Sequence, residues 1–236
     1  MPTEPTADGP RGASRVLLLR HGRTSWNATA RFQGQADIPL DDLGLEQAQL
    51  SARALADVGI DLIWSSDLSR AHQTAQAVAD LRQLPIRTDP AFREIHVGSW
   101  QGLTLADLRE VDPEAAARYA RGEDVRRSAT GEDTAEVGER VARRLTEVIA
   151  EAPDDSTVLV GTHGLAAKAG ALTFLEVPFE LWSRFDTLTN CHWIDLRRTR
   201  RGLWRVQAWN RGPDNFPDGE SVVRGTDEAK AADAGV

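Results

Sequence analysis

Three short polar clusters in this chain hold arginines and histidines, groups whose chemistry suits a phosphate. Arg20-His21-Gly22-Arg23-Thr24 follows the apolar run Val16–Leu19, Ser65-Ser66-Asp67-Leu68-Ser69-Arg70 follows Leu62–Trp64, and Thr162-His163-Gly164 follows Val158–Gly161. Short apolar runs bounded by turn residues read as buried parallel strands. Ligands of open α/β sheets bind beyond the carboxyl ends of such strands. The three clusters are therefore expected to converge, bringing Arg20, Arg70 and two histidines into one pocket. Arginine gives bidentate, charge-assisted bonds to phosphate oxygens, and a neutral imidazole can attack phosphorus or donate a proton. Placement after strands points to an anion site without identifying a reaction.

The elements that must position these clusters alternate along the chain. A helix is expected near 45–58, with Leu45, Ala48, Ala52 and Leu55 on one face, and another over 67–84. A short strand near Ile86, an irregular stretch over 90–102 and two helical segments within 104–121 follow. Val137, Val141, Leu145, Val148 and Ile149 have the spacing of one apolar helix face, and 165–176 reads as a further helix. Strands near 190–197 and 203–209 form a hairpin about Arg201-Gly202. This order predicts an α/β three-layer sandwich, a mostly parallel central sheet with helices on both faces. One domain over 15–212 is expected, between polar, Pro/Gly-rich tails at 1–14 and 213–236.

Composition narrows the partners. The formal net charge of -8 over 236 residues argues against nucleic acid or an anionic membrane surface. A small phosphorylated metabolite stays admissible, because local arginines decide its binding. Cys191 is the single cysteine, which excludes an intrachain disulfide and a four-cysteine zinc site. The N-terminal stretch lacks the basic-then-apolar layout of a secretory signal, and no apolar run approaches the ~20 residues that span a bilayer. A cytoplasmic location is expected. Exposed strand edges and the late hairpin admit a homodimer.

Leu19-Arg20-His21-Gly22-Arg23-Thr24 with Trp26-Asn27 resembles the signature of the histidine phosphatase superfamily, which includes phosphatases and cofactor-dependent phosphoglycerate mutases. The resemblance continues through Arg31-Phe32-Gln33-Gly34, the 65–71 stretch, Phe92-Arg93-Glu94-Ile95 and Thr162-His163-Gly164. Five segments in order span nearly the whole core and imply a phosphoglycerate mutase-like fold. By this resemblance His21 is the nucleophile that forms a phosphohistidine, and Arg20 and Arg70 hold the phosphate oxygens. His163 stabilises the transferring group. Glu94 protonates the leaving oxygen and then activates water, which implies a mildly acidic rate optimum. Asn27, Thr24, Gln33, Gly34 and Gly164 are further candidates for phosphate or substrate contact. No metal and no cofactor are implied, since arginines take the part that metal ions play in other phosphatases.

Other residues are weighed against plainer roles. His72 reads as a helix residue at the surface or in packing and His192 as structural. His96, two residues beyond Glu94, stands evenly between substrate contact and a loop role. Arg23 departs from the acidic or amide residue usual there and is expected to face solvent. Trp64, Trp193 and Trp204 read as core, whereas Trp100 in the loop after Glu94 is a candidate for substrate contact. The segment 104–135 lies over the pocket in this fold, so Arg118, Arg121, Arg126 and Arg127 either meet an anionic leaving group or form a solvated face.

Mutases of the superfamily carry an insertion after the acid, with a Gly-Leu-Asn-Lys motif. Here 95–104 passes directly into a helix without lysine, as in the phosphatase branch. Within that branch, the stretches 93–104 and 205–210 resemble glucosyl-3-phosphoglycerate phosphatases. An α-ribazole phosphatase, a broad-specificity phosphomonoesterase or a mutase are the alternatives. A non-catalytic phospho-ligand binder is disfavoured, because His21, Arg20, Arg70, His163 and Glu94 are all present.

Overall fold

The computed structural model describes residues 12–213. Its strands are β1 (Arg15–Arg20), β2 (Leu62–Ser65), β3 (Ile86–Thr88), β4 (Thr157–Thr162), β5 (Trp193–Arg198) and β6 (Trp204–Arg211). Its helices are α1 (Ser25–Ala28), α2 (Asp42–Ala54), α3 (Ser69–Arg82), α4 (Leu105–Val111), α5 (Pro113–Ala120), α6 (Thr134–Glu151) and α7 (Gly164–Phe174). The six strands lie in the order β3-β2-β4-β1-β5-β6. The first four are mutually parallel, β5 runs antiparallel to β1, and β6 antiparallel to β5.

Alternation along β1 builds the two faces. Val16 and Leu18 pack with Val141, Leu145 and Leu172 of α6 and α7, while Leu17 and Leu19 pack with Ala48, Ala52 and Val78 of α2 and α3. Each of these β1 side chains is fully buried, which contributes about 2 kcal/mol apiece. The layers are the three-layer sandwich expected from the alternating pattern. The α6 face is buried at Val137, Val141, Leu145, Val148 and Ile149, as its spacing implies. Asp133 and Glu136 form a capping box that fixes where this helix begins.

Boundaries differ where side chains, not periodicity, decide them. Helix α2 starts at Asp42 because the Asp41 carboxylate accepts the Gly44 N–H at 2.8 Å; a glycine in the first turn hides this start from a helix-periodicity reading. The expected tails fall, for residues 1–11 and 214–236, outside the described residues. Gly12–Ser14, assigned to the N-terminal tail by composition, are packed instead. Ala13 is fully buried and donates its N–H to Ile149, and Gly12, at φ +101°, lies against the backbone of the same helix end. Among the described residues, no helix is long and apolar enough to cross a membrane.

Candidate active site

The carboxyl ends of β1, β2 and β4 bring Arg20, His21, Ser66 and His163 together. Register does this directly: Arg20 pairs with Thr162 across β1 and β4, and Ser65 with Gly161 across β2 and β4. The His21 N–H then donates to the Thr162 carbonyl at 3.0 Å. The two imidazoles lie edge to face with ring centroids 5.2 Å apart. His21 is 3% exposed and His163 fully buried.

Hydrogen bonds assign the ring nitrogens. His21 Nδ1 sits 2.7 Å from the Gly22 carbonyl, which can only accept, so Nδ1 carries the proton and Nε2 the lone pair. His163 Nε2 lies 3.0 Å from Ser66 Oγ, which also accepts the Leu68 N–H at 3.3 Å. The Ser66 hydroxyl can donate its proton to His163 Nε2, and in that tautomer His163 Nδ1 is the donor. Gly22 permits the close approach on which this loop depends: a Cβ there would stand 2.4 Å from the Gly44 carbonyl oxygen of α2.

Both arginines are aimed by backbone carbonyls. Arg70, in the first turn of α3 and fully buried, donates to Ala36 O at 2.7 Å and Gly34 O at 2.8 Å. Gly34 holds φ +53°, and a Cβ would stand 2.5 Å from a Val97 methyl, so this turn requires glycine. Arg20 donates to the Leu188 carbonyl, and Gly164 at the start of α7 lies against its guanidinium. Burying two such cations is costly unless an anion or its equivalent compensates. Burial pushes the Arg70 guanidinium down to about 10, against the pull of Glu94 and Asp37, and lowers Arg20 as well, opposed by Glu94.

Buried side-chain N and O atoms without a hydrogen-bond partner concentrate here. They are Arg20 Nε, Arg70 Nε, His163 Nδ1, Gln33 Oε1 and Asn190 Oδ1; elsewhere among the described residues only Arg82 Nε is like them. The first three are donors, matched to an anion with several acceptor oxygens, and the last two are acceptors, matched to a hydroxyl.

Glu94 lies at the edge of the cluster. Its Oε1 accepts the N–H groups of Ile95 and Ala166 at 3.0 Å each, and its Oε2 accepts that of Leu165 at 3.2 Å. Two of these donors belong to the first turn of α7, whose N-cap is His163, so a helix N-terminus links the carboxylate to the second histidine.

Electrostatics set the protonation of the pair. Burial, followed by the charges of Arg70 and Arg20, holds His21 well below the ordinary histidine value, opposed by its bond to Gly22. Burial, then Arg70, His21, Arg140 and Arg20, does the same to His163. In the unfolded chain both bind protons near pH 6.5. As pH falls below that value the unfolded state takes up protons first, so stability is lost from there down to the depressed native values. We predict a melting temperature that is level above pH 7 and declines as pH falls below 6.5, with no step at 6.5 in kcat/KM. Thermal melts and a rate profile from pH 4.5 to 8 check both.

Other sequence candidates have more local duties. Thr24 is buried, and its hydroxyl caps α1 by accepting the Asn27 N–H at 3.1 Å. Asn27 Oδ1 accepts from Thr24, which leaves the Nδ2 end of that amide for any donation outward. The His96 ring is engaged by the Thr130 carbonyl at 3.1 Å and its N–H by Glu132, neither of them part of the cluster. Arg23, expected to face solvent, is paired with Asp41 at 2.9 Å, because the N-cap carboxylate of α2 lies within its reach. Trp100 is buried against Phe32 and Tyr119, a packing role instead of the substrate contact considered for it. Trp204 is only partly covered, against Phe174.

The arginines over 118–127 are neutralised locally. Arg118 and Arg121 pair with Glu123, and Arg126 with Asp133 and Glu136. Arg127 is buried 5.2 Å over the Tyr119 ring. His72 lines a groove of about 430 Å³ between α2 and α3, apart from the residues of the cluster. Sequence reasoning overlooked Asn190, whose Nδ2 donates to the His21 carbonyl at 2.9 Å and which is 1% exposed. It also overlooked Arg140 and Glu132, which hold the Glu94 loop.

Known proteins resemble the chain over most of its length. The sequence model of the histidine phosphatase superfamily (branch 1) matches residues 16–212. A glucosyl-3-phosphoglycerate phosphatase of Mycolicibacterium vanbaalenii is 34% identical over 213 residues, covering 83% of this chain and 94% of that protein. A probable phosphoglycerate mutase of Yersinia pestis is 36% identical over 197 residues, covering 83% and 89%. The solved structure of a mycobacterial glucosyl-3-phosphoglycerate phosphatase complexed with VO3 superposes with a TM-score of 0.78 at 33% identity, over 85% of this chain and all of that one. With its six-stranded α/β sandwich and its paired histidines and arginines beyond the carboxyl ends of the interior strands, the chain belongs to the histidine phosphatase superfamily and is a phosphatase hydrolase.

Proposed function

We propose that the chain hydrolyses phosphomonoesters of a small metabolite through a phosphohistidine on His21, without a metal. One observation carries the reading: three orphaned donors, on Arg20, Arg70 and His163, surround an imidazole whose Nε2 bears the lone pair. Nε2 attacks phosphorus, the ester P–O bond breaks, and Glu94 delivers a proton to the departing oxygen. The guanidiniums and His163 Nδ1 neutralise the equatorial oxygens throughout. In the second half Glu94 takes a proton from water, whose oxygen attacks phosphorus as the P–N bond breaks. Arg20, Arg70, His163, His21 and Glu94 form this machinery, and Gln33, Gly34, Gly164 and Asn27 complete its lining.

The substrate class follows from the relatives and from the segment 93–104, and glucosyl-3-phosphoglycerate is the ester of first choice. The expected result is inorganic phosphate release in EDTA from a panel holding that ester, 3-phosphoglycerate, α-ribazole phosphate and an aryl phosphate, with glucosyl-3-phosphoglycerate fastest. No release from any of them contradicts the reading. A mutase is the second reading, favoured by the name of the Yersinia relative. It requires phosphoglycerate isomerisation that depends on a bisphosphoglycerate primer. The outer edge of β6, unpaired among the described residues, supports a homodimer.

A further inference from the structure

Arg140 projects from α6 onto the Glu94 loop, and no step above uses it. Its guanidinium makes five hydrogen bonds. Nη1 donates to the carbonyls of Ala91 at 2.9 Å and Arg93 at 2.7 Å, and Nη2 donates to the carbonyl of Glu94 at 2.9 Å. Nε and Nη2 also bind Glu132 as a fork, at 2.7 and 2.9 Å. Three carbonyls of one four-residue stretch are thus fixed by one planar cation. Such a set suits arginine and not lysine, whose single ammonium cannot span it.

Glu132 ties the same guanidinium to the residue just past the acid. Its Oε2 accepts the His96 N–H at 2.8 Å, and its own N–H donates to the His96 carbonyl at 2.8 Å. Burial works against its charge, but Arg140 and the His96 N–H outweigh burial and hold it below the usual carboxylate range. From Ala91 to His96 the backbone is therefore clamped on both sides of Glu94. The Gln35 amide adds one more donor to the Glu94 carbonyl, at 3.1 Å.

Resting on the phosphatase reading, we propose that Arg140, oriented by Glu132, is the positioning residue that sets the place of the Glu94 carboxyl and hence its proton transfer to the leaving oxygen. Proton transfer by a positioned acid contributes about 10²–10⁴-fold and depends on ångström-scale placement. Every hydrogen bond of the Arg140 guanidinium goes to the Glu94 loop or to Glu132, so its loss bears most on esters whose leaving oxygen needs a proton. It spares esters whose leaving group departs as a stable anion.

The test measures the rate of phosphohistidine formation in rapid-quench experiments with glucosyl-3-phosphoglycerate, whose leaving group is an alkoxide, and with 2,4-dinitrophenyl phosphate. For Arg140→Ala, Arg140→Lys and Glu132→Gln we expect a loss of about 10²-fold on the first ester and under threefold on the second. We also expect Arg140→Ala combined with Glu94→Gln to be no slower than Glu94→Gln alone on the first ester. Retained labelling from the dinitrophenyl ester shows that each variant is folded, and Glu132→Gln serves where Arg140→Ala is not. Equal losses on both esters, or losses that multiply in the double variant, overturn the assignment of Arg140. Inorganic phosphate release by the wild-type chain tests the phosphatase reading separately.

Discussion

Replacing His21 by alanine is expected to lower phosphate release by about 10⁴-fold or more, as loss of a nucleophile acting in a concerted unit does. No neighbour can stand in for it. His163 is the nearest imidazole, but its Nε2 is engaged by Ser66 Oγ, and in the tautomer that accepts from Ser66 its Nδ1 carries the proton and has no lone pair for phosphorus. Ser65 and Ser66 are fully buried and hydrogen-bonded, and burial pushes the Cys191 thiol up to about 12, which keeps it protonated. The fold should survive the change. His21 makes one side-chain bond, to the next residue in the chain, and it is held as a neutral buried base. Alanine also removes one of two groups that protonate preferentially in the unfolded chain, so the variant should lose less of its stability between pH 6.5 and 5 than wild type. Steady-state phosphate release and parallel thermal melts measure both effects. A residual activity within tenfold of wild type would contradict the role.

Replacing Arg70 by alanine is expected to cost about 10²–10³-fold in kcat/KM, the usual consequence of losing one preorganised donor to a developing anion. A second cost is structural. The carbonyls of Gly34, buried, and Ala36, half-buried, lose their donors, a penalty of about 1–3 kcal/mol at the buried one. Lysine should restore little of the rate. Its ammonium cannot serve both carbonyls and a phosphate oxygen from the geometry that the guanidinium holds. Retention of more than a tenth of wild-type kcat/KM by Arg70→Lys would show that charge alone suffices and that the carbonyl-fixed fork does not matter.

The cluster was legible because three parallel strands end in polar residues on the same side of the sheet, at their carboxyl ends, and that arrangement is dictated by the strand–helix alternation. Arg20, His21, Ser66 and His163 follow from this rule, and Arg70 from its place one residue into the helix after β2. Asn190 escapes the same rule for a definite reason. It precedes β5, an antiparallel strand, so its amino end and not its carboxyl end lies beside the carboxyl end of β1. A search confined to residues just past the end of each strand overlooks it, although a polar run before a late apolar strand was visible. Arg140 and Glu132 left no such mark. They act on backbone carbonyls, and an arginine on the polar face of an amphipathic helix looks like any solvated residue. The arginines over 118–127 illustrate the converse, since each has an acidic or aromatic partner close in sequence or folded onto it, and their charge is spent there.

Helix limits behaved in the same way. Periodicity located α6 and its buried face, because eighteen residues give five turns of signal. It placed the start of α2 three residues late, where a single Asp41 cap decides the boundary. Gly34, expected beside the substrate, owes its identity to a left-handed backbone and a Val97 contact, and it serves the site by presenting its carbonyl to Arg70. A motif residue can thus be required by backbone geometry and by the carbonyl it presents.

The most direct test of the central claim is to trap the intermediate. The wild-type chain is mixed with ³²P-labelled ester in EDTA and quenched within milliseconds, and the labelled peptide is mapped by mass spectrometry. A phosphoramidate that is labile to acid, stable to base and confined to the peptide carrying His21 is the predicted result. Turnover with no such adduct, or a label on any other residue, would contradict the account.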